Sequence, residues 1–415
     1  MPGSSPSPRI NERLLLFTLA AVQFTHIMDF MIMMPLGSSL MRVFAINPEQ
    51  FSRLVAAYGL AAAVSGFAGG FVLDRFDRKH ALLILYSGFA VSTLACALAQ
   101  SYMALFLARL TAGAFGGVSS SVIVAMVGDV IPPARRGRAM GVVMSAFPIA
   151  SVLGVPFGLL LAGRFEWHAP FFLLTALSAI VLITASRTLP NLRSEHPPAH
   201  PWKQMTAILT HPIHQRGFLL SGALVFAGAA VIPFLAPSMV ANVGIPEGHL
   251  WMVYAAGGAC TFITTPLIGR LADKYDKLHV LGLISIVASV VVLVLTNLPP
   301  APISVAMGIT ALFMITMSGR FSPAMAMISN AVENRYRGGF MSVNSAVQQA
   351  ASGLANLTAG LLVTTNATGH LVGYARVGFV SFGCFGLTCF LAARLRAAAP
   401  HAARPGHLSV APAVD

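Results

Sequence analysis

Charge is scarce in this chain. Asp, Glu, Lys and Arg make up 9% of its 415 residues, against about 25% in an ordinary soluble domain. Hydrophobic residues make up 56% and the mean hydropathy is +0.77, which excludes a water-soluble globule and leaves a membrane protein. Cysteine is also rare: Cys96, Cys260, Cys384 and Cys389 all fall in apolar stretches without metal-ligand spacing and read as small core residues. No G-x-x-x-x-G-K-[ST] loop occurs, and the polar connections are too short for an ATPase domain, so ATP hydrolysis is not expected to drive this protein. H-E-x-x-H and G-x-S-x-G are missing too, and one acid alone lies well inside an apolar stretch. An enzyme, a metal site and a cofactor are therefore not expected.

What the chain does have is apolar runs of about 20 residues, each long enough to cross a ~30 Å hydrocarbon core as a helix. Twelve are expected, near residues 14–37, 51–73, 81–99, 102–128, 139–163, 169–187, 217–240, 249–271, 279–297, 302–328, 340–364 and 373–393. The first is too long for a secretory signal, holds Asp29 and lacks a small-residue cleavage site, so it is expected to remain in the mature protein. The net charge of +13 would suggest nucleic acid if it were clustered, but it is distributed by topology. With the N-terminus inside, cytoplasmic segments hold 20 Lys or Arg, external ones hold 4 and spans hold 2, Arg109 and Arg320. That is the positive-inside asymmetry, so the expected partner is a lipid bilayer, not nucleic acid, with both termini cytoplasmic.

The chain repeats itself. "GGFVLDRFDRKH" from Gly69 returns as "GRLADKYDKLH" from Gly269, pairing Gly70, Asp74, Arg75, Asp77 and Arg78 with Gly269, Asp273, Lys274, Asp276 and Lys277 at a constant offset of 199. "RRGRAMGVVMSA" from Arg135 is echoed by "RYRGGFMSVNSA" from Arg335. The expected architecture is all-α: an N-terminal six-helix bundle over 1–190, a cytoplasmic linker over 191–215 with a surface helix near 202–210, a C-terminal six-helix bundle over 216–396 and a disordered tail over 397–415. Linker histidines His196, His200, His211 and His214 have no compact ligand spacing and receive no metal role. Two parallel six-helix halves are a known architecture of secondary transporters, with substrate held near the midplane.

"GGFVLDRFDRKH", lying between spans 2 and 3 with its weaker copy between spans 8 and 9, resembles the G-x-x-x-D-R-x-G-R-K/R signature of the major facilitator superfamily. Asp77 and Asp276 stand where that signature has Gly. "ARLTAG" in span 4 and "SAFPIASVLGVPFG" in span 5 resemble the drug-proton antiporter branch with its sugar-efflux-like bacterial members; "GVPFG" stands where that branch reads G-P-x-x-G-G. The resemblance implies the major facilitator fold, an inner-membrane location and a conformational latch at the cytoplasmic side. For the latch, Gly70 would allow close helix approach and Asp74 would face the positive N-terminal end of span 11. Arg75, Arg78 and Lys79 would find Asp129 at the end of span 4, with Gly269 and Asp273 as the second copy. A solvated basic loop that fixes topology is the competing reading.

In span 5, Gly154, Pro156 and Gly158 are expected to form a kinked, closely packed seam against proton leak. Span 11 carries Ser345, Gln349, Ser352 and Asn356 along one face and Asn344 and Gln348 beside it; with Gln23 they are candidates for a substrate cavity, or serve as helix glue. Arg320 in span 10 is either a gate at the inner mouth or a residue snorkelling to the surface.

Asp29 is the acid inside a span, and burying it unpaired costs ~2.5–3.5 kcal/mol on the insertion scale. Asp29 and Arg109 each lie seven residues, about 10 Å, below the same surface, and His26 shares roughly the face of Asp29. In the family both spans line the central cavity. The three residues are expected to form a proton-coupling site, the alternative being a static ion pair. The expected function is proton-coupled efflux of a small drug-like or sugar-like organic solute by alternating access, by a monomer. A uniporter, a proton symporter or a transporter-like receptor are the alternatives.

Overall fold

The computed structural model describes residues 11–72, 76–191, 201–333 and 336–404. Twelve helical spans run through it in two sets of six, as the repeat predicts. In the N-terminal half, α1 (Glu12–Ile32) breaks at Pro35 and continues as the short α2 (Gly37–Val43); α3 (Pro48–Val72), α4 (Arg78–Ala97) and α5 (Tyr102–Val130) follow. The fifth span is interrupted: α6 (Pro133–Met144) and α7 (Ala146–Ile149) lead into a π-helical turn, Ala150–Gly154, and then α8 (Val155–Phe165). Pro156 has no N–H for the carbonyl four residues back, and the wider turn before it accommodates the missing bond. α9 (Ala169–Thr188) closes this half.

The linker helix α10 (Pro201–Thr210) precedes the second half, where α11 (Pro212–Ala229) and α12 (Ile232–Ala241) form one span broken before Pro233. α13 (Leu250–Lys274), α14 (Lys277–Thr296), α15 (Ile303–Ala331), α16 (Arg337–Leu362) and α17 (Tyr374–Ala398) complete it. β1 (Thr364–Thr365) and β2 (Leu371–Val372) pair antiparallel between α16 and α17. Side-chain caps start several helices: Asn11 Oδ1 accepts the Leu14 N–H, Ser101 Oγ that of Ala104 and Asp77 Oδ1 that of His80.

Eleven helical segments among the described residues are long and apolar enough to cross a membrane. The remaining span, α16, has the length, 26 residues, but its apolar residues are diluted by the Ser, Asn and Gln row. It packs against α3 of the other half, so its polar face is turned inward rather than to lipid.

Two differences from expectation concern the connections. α10 does not lie free on the surface, since Ile208 is buried in the C-terminal half and its carbonyl meets His214 Nδ1 at 3.0 Å. Residues 397–404, expected to be disordered, fold back: Pro400–Ala402 forms a 3-10 turn and Ala399, Ala402 and Ala403 are buried. Lys277 holds that turn, its Nζ donating to the Arg404 carbonyl at 2.5 Å and its N–H to that of Ala403 at 3.0 Å. The rest of the tail lies outside the described residues.

The two halves meet unequally at their two ends. At the far end, which carries the 33–47 and 242–249 connections, one core cluster draws on both halves. There Phe51 meets Phe234 with ring centroids 6.1 Å apart, and Arg42 pairs with Glu247. At the opposite end, which carries residues 76–77 and is called the signature end below, each half has its own separate core. The bundle is sealed at one end and divided at the other.

Candidate functional site

Two buried charges lie inside the N-terminal half. α1 presents Asp29 and α5 presents Arg109, and both side chains are wholly shut off from solvent. Arg109 Nη1 lies 2.6 Å from Asp29 Oδ2 and donates a second bond, at 3.2 Å, to the Asp29 carbonyl. Thr93 of α4 donates to Asp29 Oδ1 at 3.4 Å, and the face of Tyr58 from α3 lies 4.6 Å from the guanidinium carbon. Four helices therefore converge on one ion pair. α3 comes close enough because α5 carries Gly113 and Gly117 where they touch: a Cβ on Gly113 would stand 2.7 Å from the Tyr58 Cα, and one on Gly117 2.6 Å from that of Ala62.

The pair is stabilised by position rather than by complete bonding. Among the described residues Arg109 Nε and Nη2 have no hydrogen-bond partner. Removing one member of such a pair strands the other and typically costs about 3–5 kcal/mol. His26 does not join it: its ring stands edge-on to Phe89 at 4.2 Å and Tyr86 at 5.5 Å, and neither nitrogen is hydrogen-bonded among the described residues. The three-residue spacing put His26 on roughly the same helix face, but the aromatic residues of α4 draw it aside.

Between the halves, α3 and α16 lie backbone to backbone. A Cβ on Gly353 would come 2.6 Å from Leu60 Cγ, Gly59 approaches the Gln349 carbonyl, and Ser52 Oγ donates to the Asn356 carbonyl. Toward the signature end they part around a narrow crevice lined by Gly66, Gly117, Ser120, Ser345 and Gln349. The polar residues expected at a substrate cavity thus divide. Gln349 lines the crevice, and Gln23 reaches its wall, accepting from Ser120 at 3.5 Å. Gln348 turns to α11, where its amide donates to Ser221 at 2.9 Å; Asn344 and Asn356 are buried. The serines of α5, Ser120 and Ser121, also face the crevice and gave no warning in the sequence, where they look like ordinary small residues of an apolar span.

The glycine seam of the fifth span packs mainly on α1. A Cβ on Gly154 would stand 2.6 Å from Met28 Sδ, and one on Gly158 2.7 Å from Ile32 Cδ1, while Pro156 is buried beside them. The π turn itself meets α13, where Gly258 lies against the Ser151 carbonyl and Val152.

In the signature, Arg78 Nε lies 3.3 Å from Asp129 Oδ2. Asp77, standing where the signature has Gly, caps α4. Burial opposes its ionisation, but the backbone and ring N–H donors of His80 outweigh it and hold the carboxyl below the usual carboxylate range. Asp276 caps α14 the same way, accepting from Leu278 at 2.9 Å and pairing with Arg396 at 3.1 Å. Lys79 is partly buried, Asp273 is exposed and Gly269 has only Ser322 Oγ, at 3.8 Å, near a would-be Cβ. Gly70 lies in α3, and the proposed Asp74 contact falls, with Arg75, outside the described residues.

The family model of the Major Facilitator Superfamily matches residues 19–219 and again 218–413. The MFS-type transporter YceJ of Bacillus subtilis (strain 168) is 33% identical over 181 residues, 44% of this chain and 46% of that protein, so the match spans a little under half of this relative. The MFS-type transporter YwfA of the same organism is 23% identical across 88% of both chains. Among solved structures, a bacterial homolog of the human lysosomal transporter Spinster, in an inward-facing and occupied conformation, superposes with a TM-score of 0.75 at 16% identity over 97% of this chain and 99% of that one.

Proposed function

The chain belongs to the major facilitator superfamily, and on that premise we propose that it is a proton-coupled exporter of a small organic solute, working by alternating access in the inner membrane. It is a multi-pass membrane transporter, not an enzyme. The observation that carries the finer reading is the Asp29–Arg109 pair: a carboxylate with one strong partner, sealed from water, within one half. A group in that position holds or releases a proton according to whether Arg109 and solvent reach it. Motion of the half against its neighbour is what would change both. The unequal ends of the bundle support alternation, since a shared core at one end and separate cores at the other describe one of the two states such a cycle needs.

The asymmetry of Lys and Arg supports a cytoplasmic signature end with both termini on that side, and on this reading the crevice opens inward. Arg78 with Asp129 belongs to the proposed latch of that end, and the protein is proposed to act as a monomer. The test uses inverted membrane vesicles with an imposed proton gradient, acid inside, and a panel of toxic compounds and sugars. Export predicts accumulation of at least one compound that collapses with the gradient. Uptake that only equilibrates a compound, whatever the proton gradient, points to a uniporter, accumulation only under the reversed gradient to a symporter, and binding without movement to a receptor.

A further inference from the structure

Arg320 has a buried guanidinium but no acid to answer it. It sits inside α15, 1% exposed, and no carboxylate pairs with it among the described residues. Its Nη2 contacts only the Met317 sulfur, at 3.0 Å, and its plane lies over the Phe385 ring of α17 at 4.2 Å. Among the described residues Nε and Nη1 have no acceptor. The side chain does not snorkel to the surface.

Among the described residues the one acid deep in a span is Asp29, and Arg109 of the other half holds it. A guanidinium kept from water without a counter-charge is costly, and an anion entering from outside removes that cost. The contacts already present suit one. The Phe385 ring lies 4.2 Å from the guanidinium carbon and takes no hydrogen bond from it in the way an acceptor oxygen would. Nη2, the nitrogen that both two-pronged donor edges share, is covered only by a thioether, a weak acceptor on a flexible stem. Met317 is partly exposed and lies against Gly228 of α11, where a Cβ would come 3.0 Å from its sulfur and 4.0 Å from Arg320 Nη2. The glycine leaves the room in which Met317 can swing.

We propose that Arg320 is an anion-binding site, in which the carboxylate or phosphate group of an organic solute displaces the Met317 sulfur and takes two parallel N–H bonds from the guanidinium. The solute is then the transported cargo, a clause that rests on the transport reading above; binding itself does not. The buried carboxylate and the two buried arginines would divide their work, Asp29 with Arg109 for the proton in one half and Arg320 for the negatively charged end of the solute in the other.

The experiment is thermal unfolding of the purified full-length protein in detergent, with no gradient, titrated with benzoate, phenyl phosphate or neutral benzamide. The expected result is a saturable rise in midpoint with benzoate or phenyl phosphate, which tells the two headgroups apart, and none with benzamide. Arg320→Gln should abolish the rise, Arg320→Lys should weaken it, and Met317→Ala should lower the half-maximal concentration. The proposal is overturned if neither anion gives a saturable rise, or if Arg320→Gln responds as the wild type does. Should Arg320→Gln fail to fold, Met317→Ala decides, an anion response identical to wild type counting against the site. Failure here leaves the vesicle experiment untouched, because that one is read under a proton gradient.

Discussion

Asp29 and Arg109 are worth unequal amounts when lost. Arg109→Ala leaves a carboxylate sealed among four helices, so thermal unfolding of the purified protein should show a large loss, of the order of 3–5 kcal/mol. Asp29→Asn keeps a group that can still accept from Arg109 and should lose markedly less; equal losses would mean that charge pairing matters little here. Thr93→Val removes the second donor to Asp29 and should shift the pH dependence of transport while leaving maximal binding intact. Asp77 makes a smaller and separable contribution. As an N-cap its replacement by Ala should cost about 1 kcal/mol. Because its folded-state carboxyl is held below the usual range, that contribution is complete at neutral pH and is lost only as pH falls through the lowered value. The difference in midpoint between wild type and Asp77→Ala should therefore shrink in acid and not in mild alkali.

At the scale of elements, the helices were legible because apolar length alone sets them, and the level of Asp29 with Arg109 could be counted at a fixed rise per residue. Other features depend on partners that spacing does not reveal. Pro156 announced a kink, but the partners of the glycine notches, Met28 and Ile32 of α1, could not be read from spacing. His26 looked like a companion of Asp29 until Phe89 and Tyr86 claimed its ring. Gln348 and Gln349 are neighbours in sequence, yet one is tied to Ser221 and the other lines the crevice, because successive residues on a helix point about 100° apart. The α3–α16 contact gives a prediction of its own. Gly353→Val places two methyls where Leu60 already lies, so the far end should fail to close. Cysteines placed at Ser52 and Asn356 should cross-link readily in the parent and slowly in the Gly353→Val protein; equal rates would show that the glycine is not what permits contact.

For the whole molecule, the two halves share a sequence pattern but differ in charge chemistry. Where the first half pairs Arg78 with Asp129, the second holds Lys277 with carbonyls of its own tail, and where the first half buries an acid with its arginine, the second buries an arginine alone. On the function proposed above, one half of this twofold scaffold would carry the coupling ion and the other the cargo. The link between proton and solute movement would then be Asp29. It is tested most directly in liposomes carrying the purified protein, with a compound identified from the vesicle panel and a pH-sensitive dye in the lumen. Wild-type protein should move protons opposite to the solute, while Asp29→Asn should still exchange labelled for unlabelled solute but move no protons with it. Solute-dependent proton movement by Asp29→Asn at the wild-type rate would contradict the account.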